Sequence, residues 1–196
     1  MAYSDNDLVK QYQQGEPSAF EVLVSRYQRP LFTFLLRLTG SRERAEDLFQ
    51  ETFIKVLEGL PRYRERGKFG SWLFKIAYRL SVDVWRQDGF WRDRVTRTEQ
   101  LDDIAISTER LPDAVVERAE LLQQIEAVVA KLPQKQRRVF LLRQHGGISF
   151  REIAELTDEP LNTVLSHMNY AVAKLKMAVE STSAPKESEY GKTRSK

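Results

Sequence analysis

In "AFEVLVSRYQRPLFTFLLRLTG" the apolar residues Phe20, Leu23, Val24, Tyr27, Leu31, Phe34, Leu35 and Leu38 recur at steps of three and four. One face of an α-helix satisfies that period, whereas a strand would need alternation at every second residue. Pro30 lies inside the stripe. A proline removes one helical hydrogen bond and crowds the preceding turn, so a break near Gln28 is the local expectation. The apolar phase is kept on both sides of Pro30, which predicts a kinked continuation as far as Gly40.

Similar stripes fill most of the chain and strand patterns are scarce, so the expected fold is all-α. A short helix before Gly15 places Leu8, Val9 and Tyr12 on one side. Ser41 suits the cap of a third helix, with Leu48, Thr52, Phe53, Val56 and Leu57 inward and Glu46, Asp47, Gln50, Glu51 and Lys55 outward. Gly59 and Pro61 end it. After the loop "LPRYRERGKFG", Ser71 is the expected cap of a fourth helix, with Trp72, Leu73, Ile76, Ala77, Leu80 and Val84 inward and Lys75, Arg79, Asp83 and Arg86 outward. Periodicity fades from about Phe90 to Leu111, where "TEQLDDIAISTERLPD" reads as an acidic, extended linker. The expected division is a helical domain over 1–92, a flexible linker over 93–111, a second helical domain over 112–180 and a disordered tail over 181–196.

The second domain begins with a helix carrying Val115, Ala119, Leu122, Ile125 and Val129 and ending at Leu132. Pro133 is placed at the first position of the next helix, which Gly146 and Gly147 close. Ser149 and Glu152 form a capping-box pattern for a short helix containing Ile153, Ala154 and Leu156. The turn "TDEP" leads into a last helix whose inward side is Val164, Met168, Ala171 and Leu175. Two short helices, a tight turn and a longer helix make a helix-turn-helix.

Composition narrows the chemistry. The 196 residues are 41% hydrophobic and 30% charged, enough for a folded chain with one or two modest cores. With no cysteine and only His145 and His167, thiolate or histidine metal sites, disulfides and cysteine nucleophiles drop out. No Gly-rich phosphate loop, carboxylate dyad or nucleophile with a base is evident. Neither enzymatic activity, cofactor, metal nor small-molecule substrate is therefore expected. No apolar run nears the roughly 20 residues that span a bilayer, and the first residues lack a signal core, so no membrane insertion and a cytoplasmic location are expected.

The net charge of +3 says less than its distribution, because an acidic stretch separates two mildly basic ones. Cations beside Tyr63 and Phe69 in the loop suit single-stranded nucleic acid, since phosphates need cations and unstacked bases need flat π surfaces. The same residues also suit an ordinary solvated loop over an aromatic core. The last helix poses the opposite problem: from Leu161 to Ala173 it has no Asp, Glu, Lys or Arg.

Both halves resemble the ECF (extracytoplasmic-function) sigma factors of bacterial RNA polymerase. The resemblance rests on "AFEVLVSRYQRPLFTFLLRLTG", "AEDLFQETFIKV" and "FGSWLFKIAYRLSVDVWRQ" in the first half, and on "LPQKQRRVFLLRQHGGISFREIAELTDEPLNTVLSHMNYAVAKLK" in the second. It covers about residues 5–92 and 112–178, and "AEDLFQETF" is its most specific part. It implies two helical domains without catalytic chemistry that recruit the polymerase core to promoters and help open the duplex. Asp47, Gln50 and Glu51 match positions that in the family face the clamp helices of the large polymerase subunit; the polymerase flap, promoter DNA and an anti-sigma factor are the other implied partners. The loop over 61–69 and the start of the fourth helix match the reader of the minus-ten element, with Tyr63, Arg64, Arg66, Lys68, Phe69, Tyr78, Arg79 and Arg86 as candidates. Arg79 stands where the family commonly has Asn, while Trp72 and Leu73 are assigned to the core. The linker matches a segment that in the family threads the polymerase cleft, and it also reads as a plain solvated tether.

The last helix keeps the family framework but not its arginine-rich reading face. One account is a different minus-thirty-five element read through Asn162, Thr163, Leu165, Ser166, His167, Asn169 and Tyr170, since Asn suits adenine and an apolar group suits a thymine methyl. Phosphate cations would then be Lys135, Arg137, Arg138, Arg151, Lys174 and Lys176. The other account makes this helix a protein-docking surface, and the chain an adaptor whose helix-turn-helix does not read DNA.

Overall fold

Ser4 accepts a hydrogen bond from the backbone of Asp7 and Asp7 returns one, so a complete capping box starts α1 over Asp5–Gln13. The computed structural model describes residues 3–64, 67–87 and 113–183, the side chains of 87, 113–120 and 181–183 excepted. The expected linker over 93–111 and residues 184–196 of the expected tail lie outside the described residues. The described residues form helices and no strand. α2 spans Ser18–Thr39 with Pro30 inside it and ends on left-handed Gly40. Ser41 caps α3, Arg42–Gly59, which passes into a 3-10 turn at Leu60–Arg62.

α4 covers Phe69–Gln87, so it begins before Ser71. Ser71 is therefore not its cap; its hydroxyl donates instead to the Gly146 carbonyl at 2.9 Å. α5 (Asp113–Lys131) leads into Pro133, the N-cap rather than the first residue of α6, Gln134–Gly146. Ser149 and Glu152 complete the expected capping box of α7, Phe150–Thr157. α8, Leu161–Ser183, runs over the first residues assigned to the tail.

α1, α2, α3 and α4 pack around Leu8, Leu23, Leu31, Phe34, Leu48, Val56 and Leu73, all fully buried. Each such side chain contributes about 1.5–3 kcal/mol by leaving water. The Gln13 amide donates to the carbonyls of Leu60 and Tyr63, at 2.9 and 2.8 Å, and so fastens α1 to the loop entrance. In the C-terminal unit α8 packs on α5, α6 and α7 through Val164 and Ala171. Leu57 and Leu122, both expected inward, are exposed.

The two units meet. α6 packs on both α2 and α4, and one core runs through the contact. α4 is consequently buried on two sides, with Phe74, Tyr78, Ser81 and Trp85 covered along with Leu73 and Ala77. Of the expected inward stripe, Ile76, Leu80 and Val84 are only partly buried. Gly146 allows this approach, because a Cβ there would stand 3.0 Å from Cβ of Phe74. Around it Arg37 binds Glu126 and reaches His145 Nε2 at 2.8 Å, while the His145 ring lies beside Phe34 and Phe74.

Candidate nucleic-acid interface

Three groups of candidate residues occupy different parts of the surface. On α3, Asp47, Gln50 and Glu51 are exposed, and steps of three and four put them on one side of the helix. Their neighbours form local ion pairs, Arg42 with Glu46 at 3.0 Å and Lys55 with Glu58 at 2.9 Å. Ile54 and Leu57, further along the same helix, add exposed apolar area.

The loop and α4 separate the minus-ten candidates into surface and interior. Arg64, Lys68, Arg79 and Arg86 are exposed, with Arg86 3.9 Å from Asp83. Tyr63 is half-buried and stacks on Trp72 with ring centroids 4.3 Å apart and planes at 28°. Trp72, assigned to the core, is thus only partly enclosed. Phe69 is 1% exposed and sits among Tyr27, Tyr63 and Trp72, so it supports the loop from below instead of facing a base. Tyr78 is 2% exposed, under the C-terminal unit. Burial pushes its hydroxyl above the ordinary phenol range, and the adjacent Arg138 opposes that rise. In this arrangement Phe69 and Tyr78 present no surface to nucleic acid. Arg66 lies outside the described residues.

The helix-turn-helix leaves Arg151, Asn162, Leu165, Ser166, Asn169, Tyr170 and Lys174 exposed, Tyr170 at 62%, with Thr163 partly buried. The Ser166 hydroxyl donates to the Asn162 carbonyl one turn back, at 2.9 Å. His167 departs from the outward group, since its ring turns toward Glu159 and Nε2 lies 3.8 Å from that carboxylate.

Glu159, in the turn before α8, engages two of the expected phosphate cations. Arg138, with only 7% of its side chain exposed, binds Glu159 at 2.8 Å, and Lys135 binds it at 3.2 Å. Burial alone would raise the Glu159 carboxyl, but the hydrogen bonds and charges of Arg138 and Lys135 prevail and hold it below the usual range. Arg137 turns back to the carbonyls of Ala130 and Leu132 at 2.8 and 3.0 Å. Lys176 lies 3.7 Å from Glu180. Arg151 on α7 and Lys174 on α8 are exposed.

Glu152 was legible only as a cap. Its Oε2 accepts from the Ser149 backbone and hydroxyl, at 3.1 and 2.7 Å. Its Oε1 crosses to the other unit, 2.8 Å from Lys75 and 3.7 Å from Lys68. The Lys75 hydrogen bond, followed by that of Ser149, lowers its carboxyl to about 2. Lys75, expected to face solvent, is therefore engaged. Among the described residues no cluster of His, Asp and Glu gathers as a metal site would require.

Among the described residues, an exposed polar face on α3, the exposed cations Arg64 and Lys68 and a helix-turn-helix stand on a wholly helical framework, the organisation expected of a helical transcription factor. Comparison with known proteins identifies its family. Residues 23–90 match Sigma-70 region 2 and residues 122–175 match Sigma-70, region 4. The ECF RNA polymerase sigma factor SigW of Bacillus subtilis is 30% identical over 166 residues, covering 82% of this chain and 89% of that protein. The ECF RNA polymerase sigma-E factor of Escherichia coli is 30% identical over 176 residues, covering 84% and 88%. The chain belongs to the ECF RNA polymerase sigma factor family. Among solved structures, CnrH in complex with the cytosolic domain of CnrY shares the fold, with a TM-score of 0.57, 23% identity and coverage of 91% of this chain and 99% of that one. The sigma factor RpoE of Bartonella quintana, in complex with the anti-sigma factor NepR, has a TM-score of 0.53 and 20% identity over 82% of this chain and 96% of its own.

Proposed function

We propose that this chain is a promoter-specificity subunit that brings core RNA polymerase to its promoters and helps open the duplex there. In this reading Asp47, Gln50 and Glu51 meet the polymerase clamp helices, the loop with Tyr63, Arg64 and Lys68 engages the minus-ten element with Arg79 and Arg86, and α8 engages the minus-thirty-five element. The observation that carries it is the presence of both sigma-70 regions, in order, on one chain. The exposed face of α3 and the cations around the loop support the first two assignments. A base drawn from the stack costs a few kcal/mol, which stacking on an aromatic such as Tyr63 and contacts to its edge return.

A second reading of α8 rests on its surface. Leu161, Leu165, Tyr170, Val172 and Met177 are all exposed, whereas Arg137 and Arg138 are turned inward. That balance favours a protein partner on α8, such as an anti-sigma factor. Run-off transcription with sigma-free core polymerase on genomic promoter fragments tests the first reading, which expects discrete start sites dependent on the added chain. Core-dependent transcripts from a promoter lacking any upstream protection would support the second reading for α8.

A further inference from the structure

We infer that Glu159 is a positioning residue for the minus-thirty-five element: from the turn of the helix-turn-helix it holds the outward face of α8 in place through Arg138 and His167, and touches no base itself. The inference rests on the minus-thirty-five reading of α8 above. Phosphate contacts fix the orientation of a recognition helix on the duplex. Between Leu161 and Ala173 α8 has no Lys or Arg, so its first three turns carry no cation of that kind. Their angle has to be set from behind.

Glu159 is placed to do so. Its backbone N–H donates to the Ala154 carbonyl at 3.1 Å and closes α7, while its side chain, 10% exposed, turns into the unit. One oxygen, Oε1, meets Arg138 of α6 at 2.8 Å, Lys135 of the same helix at 3.2 Å and His167 of α8 at 3.8 Å. His167 stands directly after Ser166 and two residues before Asn169, so the stretch of α8 that carries those exposed groups is tied to α6. Stability does not call for this arrangement. Glu159 Oε2, Arg138 Nε and His167 Nε2 are buried with no hydrogen-bond partner among the described residues, and apolar side chains of the same volume are often as stable as a buried ion pair or more so. The charges add direction, because a close charge-assisted hydrogen bond admits a narrow geometry where an apolar contact slides. Base contacts from Asn162, Ser166 or Asn169 need that constancy, since a hydrogen bond weakens steeply once its donor is misaligned.

The test reconstitutes holoenzyme from core RNA polymerase and the full chain, and transcribes barcoded copies of one of its promoters in which the upstream or, separately, the minus-ten element is randomised. Glu159→Gln and His167→Ala are each expected to lower the discrimination between the preferred and the other bases at several upstream base pairs. The expected loss is about fivefold or more, the lower end of what one base contact supplies, with the minus-ten preference unchanged. The double variant should lose no more than the larger single loss, because both act through one tie. His167→Ala leaves the Arg138 pair in place. Ile153→Val, which trims the buried side of α7, lowers stability with the cluster whole, and its base preference should match that of the unaltered chain. Unchanged upstream preference in both cluster variants, or equal broadening in Ile153→Val, would overturn the positioning role. A loss confined to one base pair in His167→Ala, with none in Glu159→Gln, would make His167 a reader and overturn it as well. Holoenzyme that shows no upstream preference with the unaltered chain would overturn the minus-thirty-five reading of α8 itself.

Discussion

Acid should loosen this protein through His145 well before the Glu152 carboxylate is protonated. Arg37 can only donate, so His145 Nε2 accepts and the neutral ring carries its proton on Nδ1. Burial first, and the Arg37 charge second, lower the imidazole from 6.5 to about 4. A base whose folded value lies below its unfolded one costs nothing above 6.5, and stability falls as the pH drops from 6.5 toward 4. Between pH 7 and pH 5 the loss is about 1–2 kcal/mol, with each unit worth about 1.4 kcal/mol and partial exposure screening some of it. His145→Gln keeps an acceptor for Arg37 but binds no proton in this range. It also loses the ring contacts with Phe34 and Phe74, which costs about 1 kcal/mol at pH 7. Urea denaturation at 25 °C should therefore show the unaltered chain ahead at pH 7 and the gap closed or reversed at pH 5. Stopping at pH 5 keeps Glu152, near 2, out of the window. Parallel loss of stability in both proteins would refute this account of the interface.

Further consequences follow from the same packing. Arg138→Met should destabilise the chain by about 3 kcal/mol by stranding Glu159; Lys135 at 3.2 Å limits the loss, and adding Glu159→Gln should restore part of it in a urea titration. Gly147→Ala should cost about 1–2 kcal/mol in the same measurement, because its φ of +59° closes α6 in left-handed backbone although the space is open. On a cognate promoter, Tyr170→Ala should reduce upstream DNase protection and leave downstream protection intact; unchanged protection would remove Tyr170 from the readers.

The helices were legible because their apolar stripes and caps are local. α2 keeps its phase through Pro30, and Ser41 and Ser149 mark true helix starts. What depends on distant partners was not. The spacing along α4 describes one buried face, but α6 covers a second, which turns Tyr78 and Lys75 from surface residues into junction residues. Arg137 and Arg138 look like phosphate cations beside a helix-turn-helix. One turns back onto carbonyls at the end of α5 and the other meets Glu159, a pairing 21 positions away that no periodicity reveals. His145 likewise reads as a helix-terminal residue, and only the fold sets it against Arg37, 108 positions earlier. The exposed trio on α3 needed no such knowledge, because one helix and its own spacing determine which side those residues share.

That trio provides the most direct measurement of the central claim, that this chain is a working sigma factor. Titration of sigma-free core polymerase with labelled chain should give saturable, one-to-one binding. Replacing Asp47, Gln50 and Glu51 together with Ala should weaken that binding by about tenfold or more, a loss of about 1.4 kcal/mol or more, with thermal stability nearly unchanged because all three are exposed. Absence of binding by the unaltered chain would contradict the claim itself, and equal affinity of the two proteins would contradict the assignment of the polymerase-facing side of α3.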